Sequence, residues 1–209
     1  MPFVIDKKLL VYLIVAFMLM TVIGTLTHEM GHYMVARYLG YHPTINYAST
    51  NMHTGEGSQV MFASDSFWIT WGGPFITMFA GTMGFILLFI FCQSYYSTDR
   101  LEFKHWTLIF LALFWLRQPT VFCLWFANKF LNAKLASRTD EIKIAGNLQL
   151  PEWLILILSA VIGAAVLLIV IFRFIPIAQR FTFVLAGLIG GIAGYLLWMY
   201  VAGPALLPG

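Results

Sequence analysis

The sequence predicts an all-α integral membrane protein with about five transmembrane helices and a small membrane-associated β-hairpin between the first and second. Of its 209 residues, 60% are hydrophobic and only 10% are charged, a composition far from that of soluble proteins. Apolar stretches of roughly 20 residues, the length of helix that crosses a hydrocarbon core about 30 Å thick, recur along the chain. We expect a single domain over residues 1–209, without a soluble domain beside it.

Five apolar segments define the expected helices, and tryptophans at or near several of their ends suit the membrane interface. The segments are residues 9–27 (continuing as helix toward residue 39), 67–92, 106–127, 153–172 and 182–202. If the N-terminus lies on side A of the membrane, the end of the first helix lies on side B. The connections 41–66 and 128–152 then lie on side B as well.

These two connections are polar and contain the remaining predicted elements. In the first, residues 45–50 and 59–63 have strand character and are separated by the turn-forming "HTGEGS", which predicts a hairpin. In the second, "DEIKIAGNL" predicts a short helix capped by Thr139 or Asp140 and ending before Pro151. Small residues in two membrane segments are spaced for close helix contact: Gly73, Thr77 and Gly81, and the pairs Gly187 with Gly191 and Gly190 with Gly194.

The segment "HEMGH", residues 28–32, indicates a metal site. On a helix, His28 and His32 lie about 40° apart around the axis and roughly 6 Å along it, so both imidazoles can reach one ion. Glu29 is placed to take a proton from an attacking water, as expected of H-E-x-x-H. His28 lies about 28 Å along the helix from Leu9, close to the side B edge of the hydrocarbon. Because ionisable residues at this depth are costly, we expect a bound zinc ion to satisfy them.

A catalytic zinc usually has three protein ligands and one open position, so a third ligand is expected on side B. Asp140 and Glu141 are the best candidates, because they start the predicted short helix on that face. Four other residues are rivals for the same role: Asp65, Glu56, His42 and His53.

These residues resemble the site-2 proteases, a family of intramembrane zinc metalloproteases. "HEMGHYMVARYLG" looks like the histidine motif of that family, and "WGGPFITMFAG", residues 71–81, is similar to its second helix motif, whose Gly-Pro pair opens a helix that packs on the zinc site. The similarity covers roughly residues 20–150. The chain departs from the family at Thr77, where Asn is frequent, and at Glu141, which follows Asp140 where Gly is common.

The resemblance implies a zinc metalloendopeptidase that hydrolyses a peptide bond in or near a transmembrane segment of a membrane protein substrate. The hairpin would hold the substrate as an added strand, and the expected location is the plasma membrane of a bacterium, with the site near its cytoplasmic face. The implied residues are His28, His32 and Asp140 for zinc, Glu29 for catalysis, and Gly73 and Pro74 for substrate binding.

Arg117 lies in the middle of the third segment, where a guanidinium needs a carboxylate, exposed carbonyls or a water-filled cavity. Pro119 frees a carbonyl one turn earlier, which supplies one acceptor. Arg117 therefore has either an internal structural pairing or a role in substrate binding or transition-state charge, and we include it among the candidate substrate-binding residues.

Other functions make different predictions. A noncatalytic membrane subunit or scaffold, associated with other membrane subunits, fits the small extramembrane portion and the polar surroundings of Asp140. Metal transport would require ligands along several helices at midplane, whereas the candidates cluster at one face. The dispersed net charge of +3 gives no warrant for nucleic-acid binding. Basic residues are split nearly evenly between the two sides, so the positive-inside rule does not orient the chain.

Overall fold

The fold of residues 5–52, 61–92, 101–131 and 139–208 is described by a computed structural model. It is almost entirely helical, and five of its helical segments are long and apolar enough to cross a membrane, which confirms the predicted multi-pass all-α fold. The helices are α1 (Lys7–Tyr38), α2 (Ala63–Phe91), α3 (Phe103–Ala112), α4 (Arg117–Leu131), α5 (Asp140–Asn147), α6 (Glu152–Ile169), α7 (Ile177–Leu197) and α8 (Gly203–Leu206). The strands are β1 (Pro43–Ile45) and β2 (Thr50–Met52).

The first and last long helices, α1 and α7, run parallel and pack side by side. Their starts meet where the Asp6 backbone N–H donates to Thr182 Oγ1 at 3.2 Å. At the other end the Trp198 indole donates to the Tyr47 carbonyl at 2.8 Å, so the chain beyond α7 lies against the hairpin that follows α1. This arrangement agrees with an odd number of spans, in which the hairpin and the end of the last helix share side B.

Glycines on α7 allow its close approach to α1, as predicted for membrane helices. A Cβ at Gly190 would lie 2.5 Å from the Ile14 carbonyl oxygen, and one at Gly194 would lie 2.7 Å from Met18 Cα. The expected pairing of Gly187 with Gly191 is wrong for Gly191, because no atom in the described part of the chain lies within 4 Å of a Cβ there. Gly187, Gly190 and Gly194 therefore form the contact face, since spacings of three and four residues share one side of a helix.

Helix α2 crosses α1 at a pair of glycines, Gly31 and Gly72, where a Cβ on either residue would overlap the backbone of the other. This contact sets α2 directly beside the histidines of α1.

The third span is interrupted: α3 is followed by the 3₁₀ turn Leu113–Leu116 before α4 begins. Pro119 explains the interruption, because it cannot donate to the carbonyl four residues earlier. Gly163 of α6 packs on that carbonyl, which belongs to Trp115.

The hairpin is present, but its turn lies earlier than the predicted one. Pro43 pairs with Met52 and Ile45 with Thr50, so residues 46–49 form the turn. The Asn46 side chain accepts from the backbone N–H groups of Ala48 and Ser49, which stabilises a turn that contains no glycine. This turn lies within the predicted first strand, residues 45–50, so that prediction is wrong for residues 46–49. The predicted turn and residues 59–60 of the predicted second strand lie outside the described residues, whereas residues 61–62 are not in a strand and Ala63 starts α2.

The short helix expected in the second connection is confirmed as α5, which begins at Asp140 with Thr139 as its N-terminal cap residue. The Thr139 side chain makes no capping hydrogen bond. Ile144 and Ala145 bury one face of α5, with 1% and 0% of their surface exposed. Burial of that face turns the first residues of α5 toward α1 and α2.

Candidate metal centre

Three candidate ligand atoms converge from two distant parts of the chain. His28 Nε2 lies 3.1 Å from His32 Nε2 and 2.9 Å from Asp140 Oδ2. His32 Nε2 lies 3.4 Å from the same Asp140 oxygen. His28 and His32 are buried, and the Asp140 side chain is 13% exposed. The histidines and Asp140 therefore meet at one point, and the binding of a metal there stays a prediction.

The distances among these atoms suit a tetrahedral zinc site. Zinc binds histidine nitrogen at about 2.0–2.1 Å and carboxylate oxygen at about 2.0–2.2 Å, which separates neighbouring ligands in a tetrahedron by about 3.3 Å. The three observed separations of 2.9, 3.1 and 3.4 Å are close to that value. The donor set of two imidazoles and one carboxylate fits catalytic zinc, which keeps one position open.

The orientation of His32 is fixed by its other ring nitrogen. His32 Nδ1 lies 2.7 Å from the Ile69 carbonyl, which can only accept, so Nδ1 carries the proton. In the neutral ring, Nε2 then presents its lone pair to the ligand set. A backbone carbonyl of α2 thus selects the tautomer that binds a metal.

Gly73 is the closest neighbour of the two imidazoles on α2. A Cβ at this position would lie 2.5 Å from His28 Cε1 and would also overlap His32 Nε2. Only glycine therefore allows both rings to keep these positions, while Pro74 beside it is buried. The predicted substrate-binding roles of Gly73 and Pro74 stay predictions, and the observed role of Gly73 is to make room for the histidines.

Glu29 lies beside the ligand set and is held by the hairpin. Its carboxylate offers a ligand atom within 4.8 Å of those of both histidines. The Thr50 hydroxyl lies 2.9 Å from Glu29 Oε2 and 2.9 Å from the Glu29 carbonyl oxygen, so its single proton serves these two acceptors. Glu29 therefore lies beside the histidines and next to β2 of the hairpin.

Asp140 is held as an anion. The guanidinium of Arg117 lies 3.3 Å from its Oδ2, and a cation at that distance favours the ionised form of the carboxyl group. The exposed ammonium of Lys143, one turn along α5, lies 3.4 Å from the other carboxylate oxygen, Oδ1. An ionised carboxylate is the form that binds a metal.

The neighbouring carboxylate, Glu141, faces a different partner. Its side chain is 2% exposed, and Oε1 accepts from Nη1 of Arg117. The other guanidinium nitrogen, Nη2, lies 3.3 Å from Asp140 Oδ2 and 3.1 Å from His28 Nε2. Arg117 therefore has an internal carboxylate pairing and also touches the ligand set, and its predicted role in substrate binding stays a prediction.

The two rival third ligands within the described residues, Asp65 and His42, have other partners. Asp65 accepts from the Tyr41 hydroxyl at 2.7 Å, a bond that raises the pKa of Tyr41 and joins the end of α1 to the start of α2. His42 Nδ1 lies 2.7 Å from the Arg37 guanidinium. Glu56 and His53 lie outside the described residues.

Two parts of the site were not identified from the sequence, namely the Thr50 hydroxyl and the Ile69 carbonyl. A threonine at the end of a strand-like run has no distinguishing pattern, and a backbone carbonyl has none at all. In comparisons with known proteins, no family model, curated protein or solved structure matches this chain.

Proposed function

We propose that this chain is an intramembrane zinc metalloprotease that hydrolyses a peptide bond in or near a transmembrane segment of a membrane protein substrate. The observation that carries the proposal is the convergence of His28 Nε2, His32 Nε2 and Asp140 Oδ2 within 3.4 Å, beside the buried Glu29. Ionisable side chains grouped on a helix at this depth are typical of a functional site.

The chain's own residues supply the acid–base chemistry. A zinc ion held by His28, His32 and Asp140 would polarise the scissile carbonyl and make water more acidic. Glu29 accepts the proton of the attacking water and later delivers it to the leaving amine. The hydroxyl of Thr50 orients the Glu29 carboxylate through its contact with Oε2.

The hairpin supports a mode of substrate binding. A helical substrate hides its peptide bonds, so it must unwind, and an added strand on a sheet edge supplies replacement hydrogen bonds. Thr50 belongs to β2 and touches Glu29, so a segment paired with the hairpin would run close to the catalytic carboxylate. The proposed partners are thus a membrane protein substrate and the surrounding lipid. The location in the plasma membrane of a bacterium rests on the resemblance to the site-2 proteases alone.

The test compares cells producing the wild-type chain with cells producing Glu29→Gln. New N-termini in the membrane fraction, identified by mass spectrometry, should include peptides that depend on the wild-type protein. Removing a general base costs about 10²–10⁴-fold in rate, so these N-termini should fall below detection in the variant. The purified variant should still contain about one zinc ion per chain, because Glu29 is not among the three converging ligand residues.

The same experiment tests the alternative. Full cleavage by Glu29→Gln would remove Glu29 from the mechanism. A wild-type protein without zinc and without dependent N-termini, isolated in fixed stoichiometry with other membrane subunits, would show a scaffold that retains a protease-like site.

A further inference from the structure

The Arg117 guanidinium contacts two of the atoms whose lone pairs a metal would need. Nη2 lies 3.1 Å from His28 Nε2 and 3.3 Å from Asp140 Oδ2, which are two of the three converging ligand atoms. Three acceptor atoms at such short separations repel one another unless a proton or cation lies among them. Arg117, always protonated, is a cation in contact with two of these atoms, His28 Nε2 and Asp140 Oδ2.

A metal and Nη2 of Arg117 therefore compete for the site. The imidazole Nε2 has one lone pair, which can accept a hydrogen bond or bind a metal but cannot do both. A divalent ion at these atoms would also repel a guanidinium nitrogen within a few ångströms. Binding of the metal thus requires Nη2 to leave His28 and Asp140.

Glu141 offers Nη2 a second partner. Its Oε2 is buried and has no hydrogen-bond partner among the residues that the structure describes. A buried carboxylate oxygen without a donor is costly, and the planar fork of an arginine matches the two oxygens of one carboxylate. Since Nη1 of Arg117 already binds Oε1, reorientation of the guanidinium can place Nη2 on Oε2 without loss of the ion pair.

We infer that Arg117 has two alternative positions, both anchored on Glu141, and that they control metal binding. In one position Nη2 bridges His28 and Asp140, and in the other it completes a two-point pairing with Glu141 and frees both ligand atoms. The inference rests on the zinc site of the proposed function. A metal can bind only when Arg117 is in the second position. The first position therefore lowers metal affinity, and Glu141 raises the affinity because it stabilises the second position.

The test measures zinc affinity on the detergent-purified full chain, stripped of metal and titrated in competition with a chromophoric chelator. Arg117→Met removes the competitor and should bind zinc about tenfold more tightly. Glu141→Gln removes the second position and should bind about tenfold more weakly. In the Arg117→Met background, Glu141→Gln should change the affinity by less than about twofold, because no guanidinium remains to be relocated.

Lys143→Met is the matched control. It also removes a cation from Asp140, but one that is 52% exposed and contacts Oδ1, the oxygen that does not face the histidines. Its effect on affinity should stay within about twofold, as for other exposed ion pairs. If Arg117→Met leaves an unpaired buried carboxylate and fails to fold, the double variant keeps the test valid, because both charges are absent from it.

The outcomes separate this inference from the proposed function. Zinc binding by the wild type, with Arg117→Met and the double variant no tighter, would overturn the competition while the metal site stands. Weaker binding by those variants would show that Arg117 supports the metal, which also overturns it. No zinc binding by the wild type, Arg117→Met or the double variant would remove the metal site and the inference together. Tighter binding by the variants supports the competition.

Discussion

The protein buries histidines at both ends of its helical bundle, and the partner of each ring nitrogen separates their roles. The Nδ1–H of His32 donates a hydrogen bond to the Ile69 carbonyl, so its Nε2 lone pair faces His28 and Asp140. His105 is 2% exposed, and its Nδ1 accepts from the Glu102 backbone N–H at 3.1 Å. In the neutral ring its Nε2 therefore carries the proton and offers no lone pair to a metal.

The two ends also differ in how far along the chain the partners lie. His105 and Glu102 are three residues apart and form a capping box at the start of α3. A capping box provides hydrogen-bond partners for backbone N–H groups at the start of a helix. His28 and Asp140 are 112 residues apart. The comparison teaches that burial alone does not indicate function: a histidine with a local backbone donor caps a helix, whereas two histidines that meet a distant carboxylate make a candidate metal site.

The largest effect should come from the ligands themselves. His28→Ala and Asp140→Ala should each lose the zinc of the wild type, because two remaining ligands do not hold a catalytic ion. His105→Ala should keep about one zinc per chain while it lowers the melting temperature, since the capping box is lost. Elemental analysis and thermal unfolding in detergent measure both quantities. Loss of zinc in His105→Ala would contradict the claim that His105 has only a structural role.

A smaller effect should follow from crowding the imidazoles. Gly73→Ala would place a methyl group 2.5 Å from His28 Cε1, and overpacking of this kind costs about 1–3 kcal/mol. We expect a lower melting temperature together with weaker zinc binding, because the rings must move apart.

Gly84→Ala is the matched control for Gly73→Ala at the other end of α2. A Cβ there would lie 2.7 Å from the Leu111 carbonyl carbon, so it should destabilise the fold without changing zinc affinity. At Gly191 no atom of the described residues lies within 4 Å of a Cβ, so Gly191→Ala should keep the zinc affinity and should not destabilise the fold. Equal zinc affinity in Gly73→Ala and Gly84→Ala would show that the ring positions do not depend on Gly73.

The third effect concerns the cleavage rate alone and should come from the hydroxyl that orients the proposed catalytic carboxylate. A hydrogen bond to a charged group contributes about 1.5–3 kcal/mol, so Thr50→Val should slow cleavage of a substrate about tenfold or more. Thr50→Ser keeps the hydroxyl and should restore most of the rate. Zinc content should not change in either variant, because Thr50 does not touch the three ligand atoms. A slow Thr50→Ser variant would indicate that the threonine methyl, and not the hydrogen bond, matters.

Much of the fold could be predicted because its signals are local. Apolar length determines where a helix can span, and the four-residue spacing of His28 and His32 places both on one face of α1. The helix beginning at Asp140 followed from its capping residue and the later proline. The hairpin turn was misplaced because Asn46 stabilises it through its own side chain, a signal weaker than the glycines of "HTGEGS".

Which carboxylate meets the histidines was decided by tertiary structure alone. Asp140 and Glu141 are adjacent and equally capable of binding zinc, but burial of Ile144 and Ala145 rotates α5 so that Asp140 faces His28 and Glu141 faces Arg117. Neither helix packing nor rotation about a helix axis is encoded in a short window of residues. The sequence by itself therefore determined the spans and the two histidines, since these depend on spacing within one segment. The third ligand candidate and the arginine beside it depend on contacts between segments more than 80 residues apart.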